Sequence, residues 1–243
     1  MFVGLGTLIN IAAIAVGSFL GISLGSKLAS KSQSMITDVL GLITLLGATS
    51  ALIPLWSPNF IQALPKGSSL LLILASMLIG GLIGSALNLE QKLDSFGENL
   101  RKRFGASSDS SFIEGFVSSS LLFVIGPLAI LGSVSDGMSQ GIDQLILKSS
   151  LDFFAAMAFA STLGWGVMAS MIPVGIYQGA WTLAGLFVGS ILSEYQISAM
   201  TICGGLMLVG IALRLLNIKK IAVGNLLPAL VVAPLLATLL HSI

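Results

Sequence analysis

Two ionisable side chains four residues apart, Lys148 and Asp152, stand in an otherwise apolar part of the chain. At that spacing they share one face of a helix and can form an ion pair. A third ionisable group, Glu114, lies in the apolar stretch before them. Because a charge at the centre of a bilayer costs roughly 2.5–3.5 kcal/mol on insertion scales, such groups usually face a protein interior or a water-filled path. All three are therefore candidates for binding an ion or a polar solute, and Asp152, the deepest, is the first choice.

Each of these charges also has a purely structural explanation. Lys148 and Asp152 could satisfy one another near the membrane surface. Glu114 could reach the membrane interface, or favour the N-terminus of its helix through the helix dipole. The sequence leaves both roles open.

Uncharged polar side chains in apolar stretches could line the same path. They could equally join helices by hydrogen bonds, so neither role is decided by the sequence. These candidates are Asn10, Ser118, Ser133, Thr162, Gln178 and Asn225.

Two segments predict interrupted helices. Proline lacks an N–H and clashes with the preceding turn, so Gly126 and Pro127 predict one break, and the segment 224–228 predicts another. Broken helices expose backbone groups, which are tolerated at membrane depth only when they are buried in protein or line a cavity. We therefore expect both breaks to meet at one polar site, as in transporters with discontinuous helices. Two harmless kinks are the alternative.

The composition identifies the class of protein that holds these residues. Of 243 residues, 55% are hydrophobic and 9% are charged, whereas about a quarter of the residues in soluble domains are charged. This predicts an all-α fold, a polytopic transmembrane helix bundle of seven or eight spans forming a single integral membrane domain over residues 1–243. The eight predicted spans cover about 3–24, 36–56, 68–87, 112–133, 146–171, 174–192, 197–216 and 221–240.

Basic residues predict the orientation of the chain. Residues 88–105 combine apolar positions at helical spacing with many charges, which indicates an amphipathic surface helix. With the N-terminus outside, nine of the eleven basic residues fall on the inner side, so this helix is expected in the cytoplasm. We accordingly expect a multi-pass protein of a bacterial inner (cytoplasmic) membrane with both termini outside the cytoplasm.

Glycines recur at four-residue spacing in several spans. Small residues at this spacing let neighbouring helices approach closely, within one chain or in a homodimer. A related pattern, Gly-x-Phe-x-Gly, occurs in spans 1 and 6, which run in opposite directions in this topology. It indicates either an inverted repeat or a similarity that arises from composition alone. The packing candidates are Gly17, Gly21, Gly80, Gly84, Gly185 and Gly189.

Catalytic and cofactor sites have few residues to draw on. The chain has one cysteine and one histidine, Cys203 and His241, so no metal site built from these residues is expected. It has neither a glycine-rich phosphate loop nor a G-x-S-x-G elbow. We therefore expect no enzyme activity, cofactor or metal, and the few basic residues give no reason to expect a nucleic-acid partner.

Several long segments resemble a known family. They are GTLINIAAIAVGSFLG near the N-terminus, EGFVSSSLLFVIGPLAILGSVSDG and KSSLDFFAAMAFASTLGWGV in the middle, IYQGA, and NIKKIAVGNLLPALVVAP near the C-terminus. The chain resembles the YdfK/YqgA family of uncharacterised bacterial inner-membrane proteins over essentially its whole length. The resemblance implies at most a membrane transporter and assigns no residue a role.

Two functions follow as hypotheses. The first is a transporter or channel-like protein whose partners are the lipid bilayer and an unknown small solute or ion, with its site at span 5 and the broken span 4. The alternative is a membrane scaffold or assembly factor that binds a partner, or a second copy of itself, through its Gly-x-x-x-Gly faces.

Overall fold

The computed structural model describes residues 2–27, 29–103, 110–125, 127–188 and 192–242. All regular secondary structure in these ranges is helical, which confirms the predicted all-α class. The helices are α1 (Leu5–Gly25), α2 (Ser30–Leu52), α3 (Pro58–Gln62), α4 (Ser69–Ala86), α5 (Leu89–Arg103), α6 (Ser110–Val124), α7 (Pro127–Gly137), α8 (Asp143–Leu163), α9 (Trp165–Ala169), α10 (Met171–Val188), α11 (Glu194–Leu215) and α12 (Ala229–His241), with 3₁₀ turns at Ile53–Trp56 and Val223–Leu226.

The chain divides into two compact units, each made from two separate segments. Unit 1 comprises Met1–Leu40 and Leu93–Ile191, and unit 2 comprises Gly41–Lys92 and Leu192–Ile243. The polypeptide passes from one unit to the other three times: within α2, within α5 and between residues 191 and 192.

The described helices confirm a membrane bundle. Six of them are long and apolar enough to cross a bilayer, and the number rises to seven if the bent pair α6–α7 is one span. Predicted span 6 corresponds to α10, which is not among the six. The predicted end of that span, residues 189–192, falls largely outside the described residues.

Helices α6 and α7 form a bent pair. The two helices meet at 62°, and the candidate Gly126 between them lies outside the described residues. A Cβ atom on Gly115 of α6 would lie 2.9 Å from Cβ of Leu163, and one on Gly132 of α7 would lie 2.9 Å from Cγ of Leu145. Residues 145 and 163 of α8 are about 27 Å apart along its axis. The pair therefore follows α8 over roughly the thickness of a bilayer core, which favours a broken span over a re-entrant loop.

Predicted span 5, residues 146–171, is not one helix. Helix α8 ends at Leu163 because Gly164 takes φ 67° and ψ −146°, a conformation that favours glycine. The short α9 follows, and Gly166 within it lies so close to the backbone of Phe112 that a side chain would overlap the Phe112 carbonyl oxygen. Hydropathy alone missed this turn because the residues on both sides of it are apolar.

The end of the chain contains the second predicted interruption. A 3₁₀ turn, Val223–Leu226, precedes α12, which begins at Ala229 directly after Pro228. The irregular segment therefore lies at the start of the last span and not in its middle.

Glycines on α1 bring its backbone against the backbone of α8. A Cβ atom on any of the three glycines would overlap a carbonyl oxygen of α8. The contacts pair Gly17 with Phe153, Gly21 with Met157 and Gly25 with Ser161. Because residue numbers rise together in both helices, α1 and α8 run parallel. Two parallel spans need an odd number of crossings between them, and α2, α4 and the α6–α7 pair supply three.

The other glycine pairs also contact helices of their own unit. In unit 2, Gly80 and Gly84 of α4 lie against the backbones of Ala229 and Asn225, respectively. In unit 1, Gly185 of α10 lies against the backbone of α7. Gly189 lies outside the described residues.

The predicted surface helix corresponds to α5. Its apolar side packs on α6, where the rings of Phe96 and Phe116 are 5.8 Å apart. On its charged side, the Arg101 guanidinium holds the pKa of Glu98 below its usual range through a hydrogen bond. Its cytoplasmic position stays a prediction.

We expect Gly21→Ala to destabilise the protein by about 1–3 kcal/mol, because the added methyl group would force α1 away from α8. The matched control is Gly47→Ala at an exposed position of α2, where no atom lies within 4 Å of the new Cβ. Alanine there should be neutral or stabilising by up to about 1 kcal/mol through helix propensity. Thermal unfolding midpoints in detergent compare the two, and an unchanged midpoint for Gly21→Ala would contradict the close packing.

Candidate functional site

Asp152 lies at the centre of a buried polar network in unit 1. Its Oδ2 atom accepts hydrogen bonds from Nζ of Lys148 and from Nδ2 of Asn10, the latter at 2.9 Å. Only 7% of Asp152, 6% of Lys148 and none of Asn10 is exposed. Oδ1 of Asp152 accepts no hydrogen bond from the described residues. The carboxylate therefore keeps one oxygen that could bind a further cation or donor.

Lys148 also lies beside the interruption between α6 and α7. Its Nζ atom is 6.0 Å from the ring centroid of Phe123, in the last turn of α6. The ring face and the C-terminal end of a helix both favour a nearby positive charge. The network thus lies beside the C-terminal end of α6, the first helix of the bent pair.

Several buried polar atoms in unit 1 have no hydrogen-bond partner among the described residues. Each belongs to a side chain that is at most 1% exposed, and such an atom costs about 1–3 kcal/mol when it stays unsatisfied. Groups of this kind in native proteins usually bind ordered water or a ligand. They are Asn10 Oδ1, the hydroxyls of Ser18, Ser118, Ser119 and Ser133, and both amide atoms of Gln178.

Asp136, which lies between predicted spans 4 and 5, is a buried acid. It lies in the last turn of α7, is 3% exposed, and accepts hydrogen bonds from the backbone N–H groups of Gly4 at 3.2 Å and Gly6 at 3.0 Å. Asp136 thereby caps the N-terminus of α1, where a negative charge is favoured. No sequence signal indicates this contact, because the partners are more than 130 residues apart.

Two candidates lie away from Asp152. Glu114 is half-buried in α6 beside Gly115, which packs on the C-terminal end of α8. Thr162 lies at that same end, and its hydroxyl donates to the carbonyl of Phe159 at 3.1 Å. Because Asp152 and Leu163 are about 16 Å apart along α8, Glu114 and Thr162 do not join the network. Because the residues along a span are similarly apolar, hydropathy does not show how far along the span each polar residue lies.

Asn225 belongs to unit 2 and has a capping role there. Its Oδ1 atom accepts a hydrogen bond from the backbone N–H of Glu90 at 2.9 Å, at the start of α5. The Glu90 carboxylate accepts from Nη1 of Arg214 at 3.0 Å and from the N–H of Gly224 at 2.6 Å. This ion pair was not predicted, because its members are far apart in the sequence. The interruption near Gly224 thus lies in unit 2, whereas Pro127 and Asp152 lie in unit 1.

The chemical groups of the network are one carboxylate, one ammonium group and one amide. Among the described residues, no three His, Cys, Asp or Glu side chains are grouped so that they could hold a metal ion. The Lys148–Asp152 pair is neutral as a whole. Another cation can take the place of the ammonium group at Oδ2 only when the Lys148 side chain moves away.

Comparisons with known proteins agree with the resemblance in the sequence. A family model described as "Protein of unknown function (DUF554)" matches residues 5–238. The chain is 29% identical over 98% of its length to "Uncharacterized membrane protein YdfK" of Bacillus subtilis (strain 168), covering 97% of that protein. It is 31% identical to "Uncharacterized protein YqgA" of Escherichia coli (strain K12), covering 94% of each chain. No solved structure matches this chain.

We expect Asp152→Asn to destabilise the protein by about 3–5 kcal/mol, because it leaves the Lys148 ammonium buried without a counter-charge. The double variant Lys148→Met/Asp152→Asn removes both charges and keeps an acceptor for Asn10. Its thermal unfolding midpoint should therefore lie above that of the single variant. Equal midpoints would mean that the two charges do not interact.

Proposed function

Because this chain belongs to the DUF554 family of proteins of unknown function, we propose from its own residues that it carries a small ion or polar solute across a membrane. Asp152 is the proposed binding group, with Asn10 and Lys148 as its immediate partners.

The buried network beside the broken span is the observation that carries the proposal. An ion pair in a membrane bundle is expensive to desolvate, and a buried pair is often no more stabilising than apolar side chains of the same size. A structural role alone therefore gives little reason for Lys148 and Asp152. Intramembrane charges are typical of substrate and ion pathways.

The surrounding polar atoms support the same function. The unpartnered groups of Asn10, Ser118, Ser119, Ser133 and Gln178 lie in the same unit as Asp152. A dry structural core would leave these atoms at a large cost. Water or a solute passing through the unit would provide their missing hydrogen bonds.

The proposed orientation places both termini outside the cytoplasm of an inner membrane. The distribution of basic residues supports it, and it requires α10 to cross the membrane as an eighth span. The inverted repeat of spans 1 and 6 stays a prediction and is not needed for the proposal.

The scaffold hypothesis depends on glycine faces that are open to a partner. The faces containing Gly17 and Gly21, Gly80 and Gly84, and Gly185 contact backbones of the same chain. They are therefore occupied, and binding a partner would require the helices to separate. A homodimer through other surfaces stays a prediction. We propose binding and transport, not catalysis.

Currents across a solid-supported membrane test the proposal. Proteoliposomes of the purified chain would receive concentration jumps of alkali-metal chlorides, sodium salts of different anions, and charged amino acids. At least one jump should give a protein-dependent current. Losing a charged hydrogen-bond partner costs about 1.5–3 kcal/mol, so Asp152→Asn should reduce binding of the transported solute, and its current, roughly tenfold or more.

Two control variants separate function from folding. Asp143→Asn makes the same chemical change at an exposed position of α8 and should keep the current. Lys148→Met/Asp152→Asn should fold better than Asp152→Asn and still lack the current. An absence of current in every solution, or a normal current in the folded double variant, would refute the proposed role of Asp152.

A further inference from the structure

A cavity of about 240 Å³ opens at the end of unit 1 where α1 begins. It is lined by Phe2, Val3, Asp136, Ser139, Gln140, Gly141 and Ile142, which belong to the start of the chain and to the connection between α7 and α8. This volume is ample for a hydrated inorganic ion, since one water molecule occupies about 30 Å³.

The charges at this cavity favour a cation. Asp136 is its one ionised lining residue, and no lysine or arginine is among the lining residues. The N–H groups of Gly4 and Gly6 offset part of the carboxylate charge, but a helix N-terminus carries only about half a positive charge. The described lining residues therefore carry a net negative charge. A low-dielectric cleft concentrates such a field and attracts ions of the opposite sign.

Two buried polar side chains of α1 follow one another from the cavity end of the helix toward Asp152. Thr7 and Asn10 lie on one face of α1, about one turn or about 4.5 Å apart along its axis. The hydroxyl of Thr7 lies 3.4 Å from that of Thr182 on α10, and both residues are buried. Asn10 then donates to Asp152 and keeps its own oxygen unpartnered.

The same face of α1 is closed beyond Asn10. Ile14 is fully buried, and one turn later Gly17 begins the backbone contact with α8. Polar side chains therefore lead from Asp152 along α1 toward the cavity, whereas Ile14 and the Gly17 contact separate Asn10 from the buried Ser18 toward the other end of the helix.

Lys148 shows what kind of group the Asp152 site accepts. Its ammonium group is a monovalent cation held by the Asp152 carboxylate at almost no exposure. A mobile cation of similar size would bind in its place, at the carboxylate and near the unpartnered Asn10 oxygen.

We propose that the cavity at Asp136 is the entrance to the Asp152 site and that this entrance admits small monovalent inorganic cations. This inference rests on the proposed function and names its class of substrate. It gives Asp136 a second role besides capping α1, namely attracting the cation.

Charged thiol reagents test the entrance directly. The one cysteine is replaced by Cys203→Ala, and Gln140→Cys places a thiol in the cavity lining of the full chain in nanodiscs, where both membrane faces are accessible. Its reaction rates with trimethylammonioethyl and sulfonatoethyl methanethiosulfonate are divided by the corresponding rates with 2-mercaptoethanol. The corrected ratio should favour the cationic reagent roughly tenfold or more at low salt, and less at high salt.

Two further variants test whether Asp136 causes the preference for the cationic reagent. Gln62→Cys, exposed at the end of α3, should show no cationic preference. Asp136→Asn in the Gln140→Cys background should lose most of the preference. If this variant does not fold, the comparison of Gln140→Cys with Gln62→Cys alone tests the cationic preference of the cavity. A corrected ratio of cationic to anionic rate at or below one at Gln140→Cys overturns the inference.

Blocking the cavity tests whether it leads to Asp152. Modification of Gln140→Cys by the cationic reagent should abolish the protein-dependent current, whereas modification of Gln62→Cys should not. A cationic preference together with an undiminished current overturns the entrance. A current that survives in Lys148→Met/Asp152→Asn instead refutes the proposed function, whatever the thiol rates are.

Discussion

The close contact between the backbones of α1 and α8 is the constraint on which unit 1 depends. Three glycines without side chains bring α1 against the carbonyl oxygens of α8 over two helical turns. Only at this distance can the short side chain of Asn10 reach Asp152. The contact also fixes the direction of both helices, and with it the number of crossings between them. Packing, topology and the polar network thus follow from one feature.

Local patterns in the sequence predicted the parts of the site that depend on local geometry. Lys148 and Asp152 share a helix face because they are four residues apart, and the Gly-Pro dipeptide marks the end of a helix because proline lacks an N–H. The contacts of Asn10 with Asp152, and of Asp136 with α1, join residues more than 130 positions apart. They depend on which helices become neighbours, and no pattern in a single sequence specifies that choice.

Hydropathy predicted the class of fold better than the positions of its turns. Apolar runs identify membrane helices because all of their backbone groups must be satisfied internally. The same runs conceal the turn at Gly164, since Leu163 and Trp165 on either side of it are both apolar. They also do not show how deep in the membrane a residue lies. For this reason Glu114 and Thr162 were grouped with Asp152, although they lie at or beside the C-terminal end of α8. The glycine stripes predicted close packing but not the partner of each helix.

The Asp152–Lys148 and Glu90–Arg214 ion pairs differ in how many oxygens of the carboxylate accept hydrogen bonds. Glu90 in unit 2 accepts hydrogen bonds at both oxygens, from Arg214 and from the backbone of Gly224, while its own N–H is bound by Asn225. These contacts hold the start of α5 against neighbouring segments, which is a structural role. Asp152 receives both of its described hydrogen bonds at one oxygen, among hydroxyl and amide groups that lack partners.

A carboxylate that served only to hold helices together would be expected to accept hydrogen bonds at both oxygens, as Glu90 does, although Nε of its partner Arg214 is buried without a described partner. The incomplete use of Asp152 is what a site must have if a ligand is to enter and leave it. A lysine that neutralises the acid between binding events would make the empty state tolerable in a membrane, where an isolated carboxylate would not be. On this argument the Lys148 ammonium group and the Oδ1 atom of Asp152 belong to the same proposed binding site, which lies in unit 1.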